Sequence, residues 1–369
     1  MSINLSRRKF WSSATAAGVS AFAATARASA AANSAQDAEI TQRPEVEAYP
    51  VEQGRSTVAI VKGEDRRKNV YDALAAIDDQ IMPVLKTKKY VILKPNGVNA
   101  DQVSANTDPD ALRGAIEYLA PRFKGPIVIA ESAAYRASWD SFDSLGYPEM
   151  AAEYKDQKIT LSDINEEPGF QVMNVLDPDF QLIPVRIANR FLDPDAYMIN
   201  LPKAKLHGLC VVTLAVKNVI MAAPLRSSRK EPKTWTDKWK LHPNFRHAQY
   251  NMMLVGEKIR PYWGATVIDA WEGIEANGGV VPQRTAVAST DYVAADRVMV
   301  ETMKIDPGTV GHLVYCGQAG LGQYDLAKID VIGEKISDVT MPYAQPKNVD
   351  RMLEWMHPMT EAPKPIRRS

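Results

Sequence analysis

Cysteine is nearly absent from this chain of 369 residues: Cys210 and Cys316 are the whole complement. No C-x-x-C pair exists, so no cysteine-ligated iron–sulfur cluster or zinc ribbon is expected. An oxidising compartment would permit one disulfide. Both cysteines sit in apolar company (Leu209-Cys210-Val211-Val212 and Val314-Tyr315-Cys316-Gly317), which predicts two buried thiols instead. Long apolar runs are missing too, and nothing approaches the roughly eighteen residues of a membrane span. Positive charge is not in excess. Lys plus Arg number 44 against 44 Asp plus Glu, and four of the basic residues lie in the first thirty positions. The remainder carries 40 basic and 44 acidic residues, which argues against general nucleic-acid binding. There is no G-x-S-x-G elbow, no Walker loop and no G-x-G-x-x-G after the first predicted strand. Gly320-Leu321-Gly322 reads as a turn.

What is present begins with an export signal. Ser6-Arg7-Arg8-Lys9-Phe10-Trp11 sets two arginines before an aromatic residue, an Ala-rich stretch runs from Ser12 to Ala26, and Ala28-Ser29-Ala30 offers small residues for cleavage. Basic n-region, short h-region and A-x-A site follow in the order of a bacterial signal peptide. The arginine pair selects the folded-export route. An ordinary signal peptide or an amphipathic anchor is the plainer alternative. The expected partner is the twin-arginine translocation machinery, and the expected location is periplasmic or secreted. The chain divides into a signal at 1–30, a linker or arm at 31–55, an α/β domain at 56–334 and a C-terminal extension at 335–369.

From Thr57 the pattern alternates. Apolar or β-branched runs at Thr57–Lys62, Tyr90–Leu93, Ile127–Ala130, Ile159–Asp163, Gln181–Ile187, Ala196–Leu201, Ala265–Ile268, Thr285–Ser289 and Ile329–Ile332 predict strands. Helical spacing predicts one helix over Arg67–Leu85, another capped by Thr107 with Pro109 in its first turn, and others over Pro148–Tyr154, Leu209–Ile220, Phe245–Pro261, Asp291–Lys304 and Gly308–Gly317. The fold class is α/β: a mostly parallel (mixed) sheet with helices on both faces.

Ligands of open α/β sheets bind beyond the carboxyl ends of strands, and four predicted strand ends are polar. After Tyr90–Leu93 come Lys94 and Asn96, suited to an anion; a plain surface turn is the competing reading. After Ile127–Ala130 comes Glu131, a base, a metal ligand or a salt-bridge partner. The densest cluster follows Ala196–Leu201. Lys203, Lys205 and His207 alternate, so an extended segment puts them on one face. Like charges so close repel unless a negative guest sits between them. The predicted helix Leu209–Ile220 would aim its N-terminus at them and carries Lys217 and Asn218. Lys217 stands among apolar residues, which calls for an acid partner or a depressed pKa. The fourth end is Asp269, a base, a metal ligand, a lysine partner or a cap. The stretch Pro224–His242 interleaves Arg226, Arg229, Lys230, Lys233, Lys238 and Lys240 with Trp235 and Trp239, as in a lid over an anionic or sugar-like ligand or a solvated loop. His242 and His247 are spaced unlike a helix-face metal pair.

Taken together, Ile92-Leu93-Lys94-Pro95-Asn96, Ala196 through His207, Thr213-Leu214-Ala215-Val216-Lys217-Asn218, His242, Ile268-Asp269-Ala270, Val293-Ala294-Ala295-Asp296 and Val331-Ile332-Gly333-Glu334 resemble the domain of unknown function 362 family (DUF362) over Thr57–Glu334. The resemblance implies that Lys94, Lys203, Lys205, His207, Lys217, Asn218 and Asp269 converge; it names no substrate. Some members carry ferredoxin-like cysteine motifs, which this chain lacks. The functional expectation is a cleft for a small anionic ligand, a carboxylate or phosphate. Lys94, Asn96, Lys203, Lys205, His207, Asn218 and His242 bind there, and Lys217, Asp269 and Glu131 carry acid–base chemistry. A non-catalytic periplasmic binding protein for a metal or small anion, and a metal-dependent enzyme using His207, His242 and the acids, stay open; cofactor and metal identity are unknown.

Overall fold

The computed structural model describes residues 54–357 apart from 99, 136 and 232. The signal read at 1–30, nearly all of the arm at 31–55 and the end of the C-terminal extension lie outside the described residues.

Among the described residues thirteen strands and the nine α-helices of six residues or more follow in order: β1 (Ser56–Lys62), α1 (Arg66–Ala75), α2 (Asp78–Leu85), β2 (Tyr90–Pro95), α3 (Pro109–Leu119), β3 (Ile127–Glu131), α4 (Ser138–Ser144), α5 (Tyr147–Ala152), β4 (Ile159–Asp163), β5 (Phe170–Leu176), β6 (Leu182–Ala188), β7 (Ala196–Leu201), β8 (Lys203–His207), β9 (Val211–Thr213), α6 (Ala215–Ala222), α7 (Phe245–Ile259), β10 (Ala265–Ile274), β11 (Val280–Val281), β12 (Thr285–Ser289), α8 (Tyr292–Thr302), α9 (Gly311–Gln318) and β13 (Ile329–Gly333). The main sheet runs β13-β1-β12-β10-β7-β2-β3-β4, and β5 with β6 forms a separate ribbon. Strands β10, β7, β2, β3 and β4 are mutually parallel, while β12 runs antiparallel to both its neighbours. The fold is α/β with a mixed, mostly parallel sheet.

Alternation along each strand divides the core in two. Val91 and Leu93 of β2 pack with α1 to α5 on one face, together with Ile199 of β7. Ile92 of β2 and Met198 of β7 pack on the other with α6 to α9. Because both faces are covered, these strands read as unbroken apolar runs.

Several expectations change. Arg67–Leu85 is two helices: Ile77 leaves helical geometry, and Asp78 and Asp79 open the second, where acids favour the positive helix end. Asp108, not Thr107, caps α3, since its side chain accepts from the Asp110 N–H. Leu209–Ile220 is not one helix: Val211–Thr213 pairs back on β8, and α6 starts only at Ala215. The strand read at Gln181–Ile187 is β6, which pairs with β5 outside the main sheet.

Candidate functional site

Chain order and spatial order part company between β7 and β2. From β2 the sheet grows through β3 and β4 on one side and through β7 and β10 on the other. At such a switch point the flanking connections leave in opposite directions and open a crevice beyond the strand carboxyl ends. Lys94 of β2 lies opposite Asn200 of β7 in register. Both follow the parity of Ile92 and Met198, so both project to the α6 side. A cavity of about 300 Å3 opens here.

A chain of amides builds its floor. Lys205 Nζ donates to Asn96 Oδ1 at 2.5 Å; Asn96 Nδ2 donates to Asn218 Oδ1 at 2.7 Å; Asn218 Nδ2 donates to Asn200 Oδ1 at 2.7 Å; Asn200 Nδ2 donates to Ala215 O at 2.9 Å. β2, β7, β8 and α6 are thereby tied at one point. All four residues are buried, and a fully satisfied polar network of this kind fixes one arrangement. Glu131 caps the β3 end. Its carboxylate accepts the Gly97 N–H and the Ser132 N–H, each at 2.7 Å, and Lys94 Nζ at 2.9 Å. A Cβ at Gly97 would come 3.0 Å from Glu131 Cγ, so glycine lets the backbone close on the carboxylate.

Four lysines, Lys94, Lys205, Lys217 and Lys238, line the cavity against one carboxylate, Glu131. All four are buried. Lys94 is held by Glu131, Pro95 O and Asn218 Oδ1. Lys205 also donates to Ala105 O at 2.7 Å. Lys238 donates to Met221 O at 2.7 Å and Ala222 O at 3.4 Å, the carbonyls that end α6, where a cation suits the helix dipole. Lys217 differs: its one hydrogen bond among the described residues is to Thr213 Oγ1, at 3.2 Å. Burial lowers all four. Lys205 falls to about 7, with Lys217 adding repulsion; Lys238 falls to about 7; Lys217 falls to about 8; Lys94 falls despite the pull of Glu131.

Imidazoles crowd the same region. His207 and His242 line the cavity with ring centroids 6.3 Å apart. His207 Nδ1 accepts from the Leu209 N–H at 3.1 Å. His312 on α9 sets Nδ1 3.2 Å from Gln249 Oε1, an acceptor, so its Nε2 bears the lone pair, buried and without a partner. His242 Nε2 is buried and unpartnered likewise. Burial, followed by repulsion from Lys217, lowers His242 and His312 to about 3 and His207 well below its ordinary value. The three rings are neutral at physiological pH. Beside them Val211 adopts φ 65°, a left-handed conformation that costs a β-branched residue on the order of 1–3 kcal/mol.

The structure thus brings together Lys94, Asn96, Glu131, Lys205, His207, Lys217, Asn218 and His242 from distant parts of the chain. It does not bring in Lys203 or Asp269. Lys203 Nζ lies 3.2 Å from Asp269 Oδ2, and Arg66 joins Asp269 to Asp108 and Glu272 in a separate ion network. β8 pairs with β10 at Asp269 and again only at Ile274, so an irregularity falls between Lys203 and Lys205 and the expected common face is lost. The helix N-terminus expected beside the cluster is occupied as well: the Asp296 carboxylate accepts the Ala215 N–H at 2.7 Å and the Val216 N–H at 3.0 Å. In Pro224–His242, acids take up much of the basic charge, Glu166 holding Arg229 and Lys230 and Asp237 holding Lys240. Trp235 lies under Arg186, 3.4 Å from ring centroid to guanidinium. Only Lys238, Trp239 and His242 of that stretch line the cavity. His247 lies apart, against Phe180. Lys238 looked like its basic neighbours in the sequence, and His312 gave one signal, a lone polar residue in Gly311-His312-Leu313-Val314. Both cysteines are buried free thiols. Among the described residues no group of three His, Cys, Asp or Glu side chains is arranged to hold a metal, and no helix is long and apolar enough to cross a membrane.

A family model described as Domain of unknown function (DUF362) matches residues 91–301, from β2 into α8 and across every cavity-lining element. None of the curated proteins matches the chain. A crystal structure of a Thermotoga maritima protein superposes with a TM-score of 0.36 and 10% identity, covering 60% of this chain and 55% of that one. This chain therefore spans little more than half that protein's length.

Proposed function

The chain belongs to the DUF362 family, and from that premise we propose that its cavity takes up a small carboxylate or phosphate and acts on it by acid–base chemistry. The excess of buried amines over carboxylates around one cavity carries the reading. An ammonium without a counter-charge is costly to bury. The protein answers by lowering the lysine pKa values, and an anion would reverse that shift and draw protons in with it. Glu131 already accepts three hydrogen bonds from the chain. Lys217, lowered to about 8, offers a fraction of free amine near neutral pH to serve as the base. The same saturation of Glu131 favours a second reading, a non-catalytic carrier of a small anion. Export by the twin-arginine route, read from Ser6 to Trp11, is part of the proposal and would set this chemistry in the periplasm or beyond.

The test is thermal unfolding of the exported, processed protein with phosphate, sulfate, acetate and pyruvate at pH 6.5. A bound anion raises the melting temperature with concentration, and Lys205→Met abolishes the rise. No shift with any of these anions would refute the reading. An enzyme and a carrier part in turnover: each loses affinity in lysine variants, but only an enzyme loses a rate at saturating ligand.

A further inference from the structure

Among the four cavity lysines the hydrogen-bond inventory singles out one. Lys94, Lys205 and Lys238 each donate to carbonyl, amide or carboxylate oxygens that hold the amine in place. Among the described residues Lys217 Nζ has the Thr213 hydroxyl alone, which can donate as well as accept and so tolerates a neutral amine. The Lys217 side chain leaves the first turn of α6, and the amide chain through Asn218 fixes that turn. Lys217 lines the cavity together with Lys205, His207 and His242. An amine that is desolvated, unpaired and set among other cationic groups has the makings of a carbonyl nucleophile.

We propose that Lys217 condenses with the carbonyl carbon of a small 2-oxo acid or aldehydic anion, whose negative group is held by the neighbouring lysines. This rests on the anion-binding reading of the cavity and names the substrate class. The Nζ lone pair forms the new C–N bond. The carbonyl oxygen takes up two protons and departs as water, and loss of the second Nζ proton leaves the C=N bond of an imine. No electrons are exchanged. The Thr213 hydroxyl, hydrogen-bonded to Lys217 Nζ, can accept and donate a proton beside it. Lowering of Lys217 to about 8 leaves a usable fraction of free amine near neutral pH.

Borohydride reduction of an imine fixes the carbonyl compound to its lysine. The processed protein would be incubated with pyruvate or glyoxylate, reduced, weighed intact and mapped by peptide mass spectrometry, with lactate as the control lacking a carbonyl. The expected result is one reduced adduct per chain, located on Lys217, at least about tenfold above any other cavity lysine, and absent with lactate. Lys217→Arg keeps the charge and loses the adduct. If pyruvate raises the melting temperature of the wild-type protein and no adduct forms on Lys217, the imine is refuted while the anion site stands. If pyruvate neither binds nor labels, both fail together. Equal labelling of Lys205 or Lys238 also overturns the proposal. Mapping on the wild-type chain decides the matter even if a Lys217 variant does not fold.

Discussion

Lys203 and Lys205 sit two residues apart on β8, both buried, in opposite electrostatic circumstances. Lys203 meets Asp269 at 3.2 Å inside a network whose other members are Arg66, Asp108 and Glu272. Trp271 covers it, with Arg66 and Arg284 guanidinium groups 4.7 and 3.6 Å from the ring centroid. Lys205 faces a cavity in which lysines outnumber carboxylates. In the first region each cation meets a carboxylate of the chain; in the second the answer for most of the amines would have to come from outside. A basic cluster in a sequence therefore says little until its acids are counted in space. The irregularity in the β8–β10 pairing separates the two circumstances.

The comparison breaks most visibly under mutations that remove one charge from each region. Asp269→Ala strands Lys203, whereas Arg66 keeps Asp108 and Glu272. It should cost about 3–5 kcal/mol in denaturant unfolding, while anion affinity per folded molecule stays within about twofold. Lys217→Met should act oppositely and stabilise the anion-free protein by on the order of 1–3 kcal/mol. The sign follows from linkage. The folded pKa of about 8 lies below the ordinary 10.5, so the penalty is complete below about 8 and fades as pH rises through 10.5. The gap between wild type and variant should widen as pH falls across that window. A destabilised Lys217→Met protein at pH 7 would mean that an unseen partner already neutralises the amine.

How far this could be read beforehand depended on where the chemistry sits. Lys94 and Glu131 end continuous apolar strands, so the abrupt polar residue announced itself. The turn from β8 into β9 was hidden because Val211–Thr213 and Ala215–Ala222 make one apolar stretch, and periodicity cannot divide a buried strand from a buried helix. Parity along β8 put Lys203 with Lys205, since nothing in the residues marks the shift of register. Lys238 was indistinguishable from Lys233 or Lys240 until the carbonyls at the end of α6 came within its reach. Asp296 lies 81 positions from the helix N-terminus it fills, a distance no local pattern spans.

A smaller effect sharpens the contrast through pH. Lys205 and Lys238 titrate near 7 and Lys217 near 8 in the anion-free protein. Anion affinity should fall by about tenfold between pH 6.5 and 8.5 as these amines lose their protons, because binding then requires proton uptake. Calorimetry in two buffers of different ionisation enthalpy would count those protons. An affinity flat across the range would mean that the lysines are charged before the ligand arrives, as in the Lys203 network.

The smallest effect belongs to the mouth. Trp239 is 49% exposed and Tyr135 is 59% exposed, with rings 5.5 Å apart, and both line the cavity. Their faces lie outside the ring of buried lysines, so neither supplies the charge that holds an anion. Trp239→Phe keeps an aromatic surface and should change affinity by no more than about threefold. Trp239 is nonetheless the tryptophan that lines the cavity, so a bound anion should alter its emission. Loss of the ligand-induced fluorescence change in Trp239→Phe, with affinity retained by calorimetry, would place the guest beneath this pair. A change that survives in the variant would put the guest near another tryptophan, and Trp271, over the Lys203–Asp269 ion network, would then be the first to substitute. That outcome would reverse the assignment of the two regions, because the anion would be seated where the chain already supplies its own counter-charges.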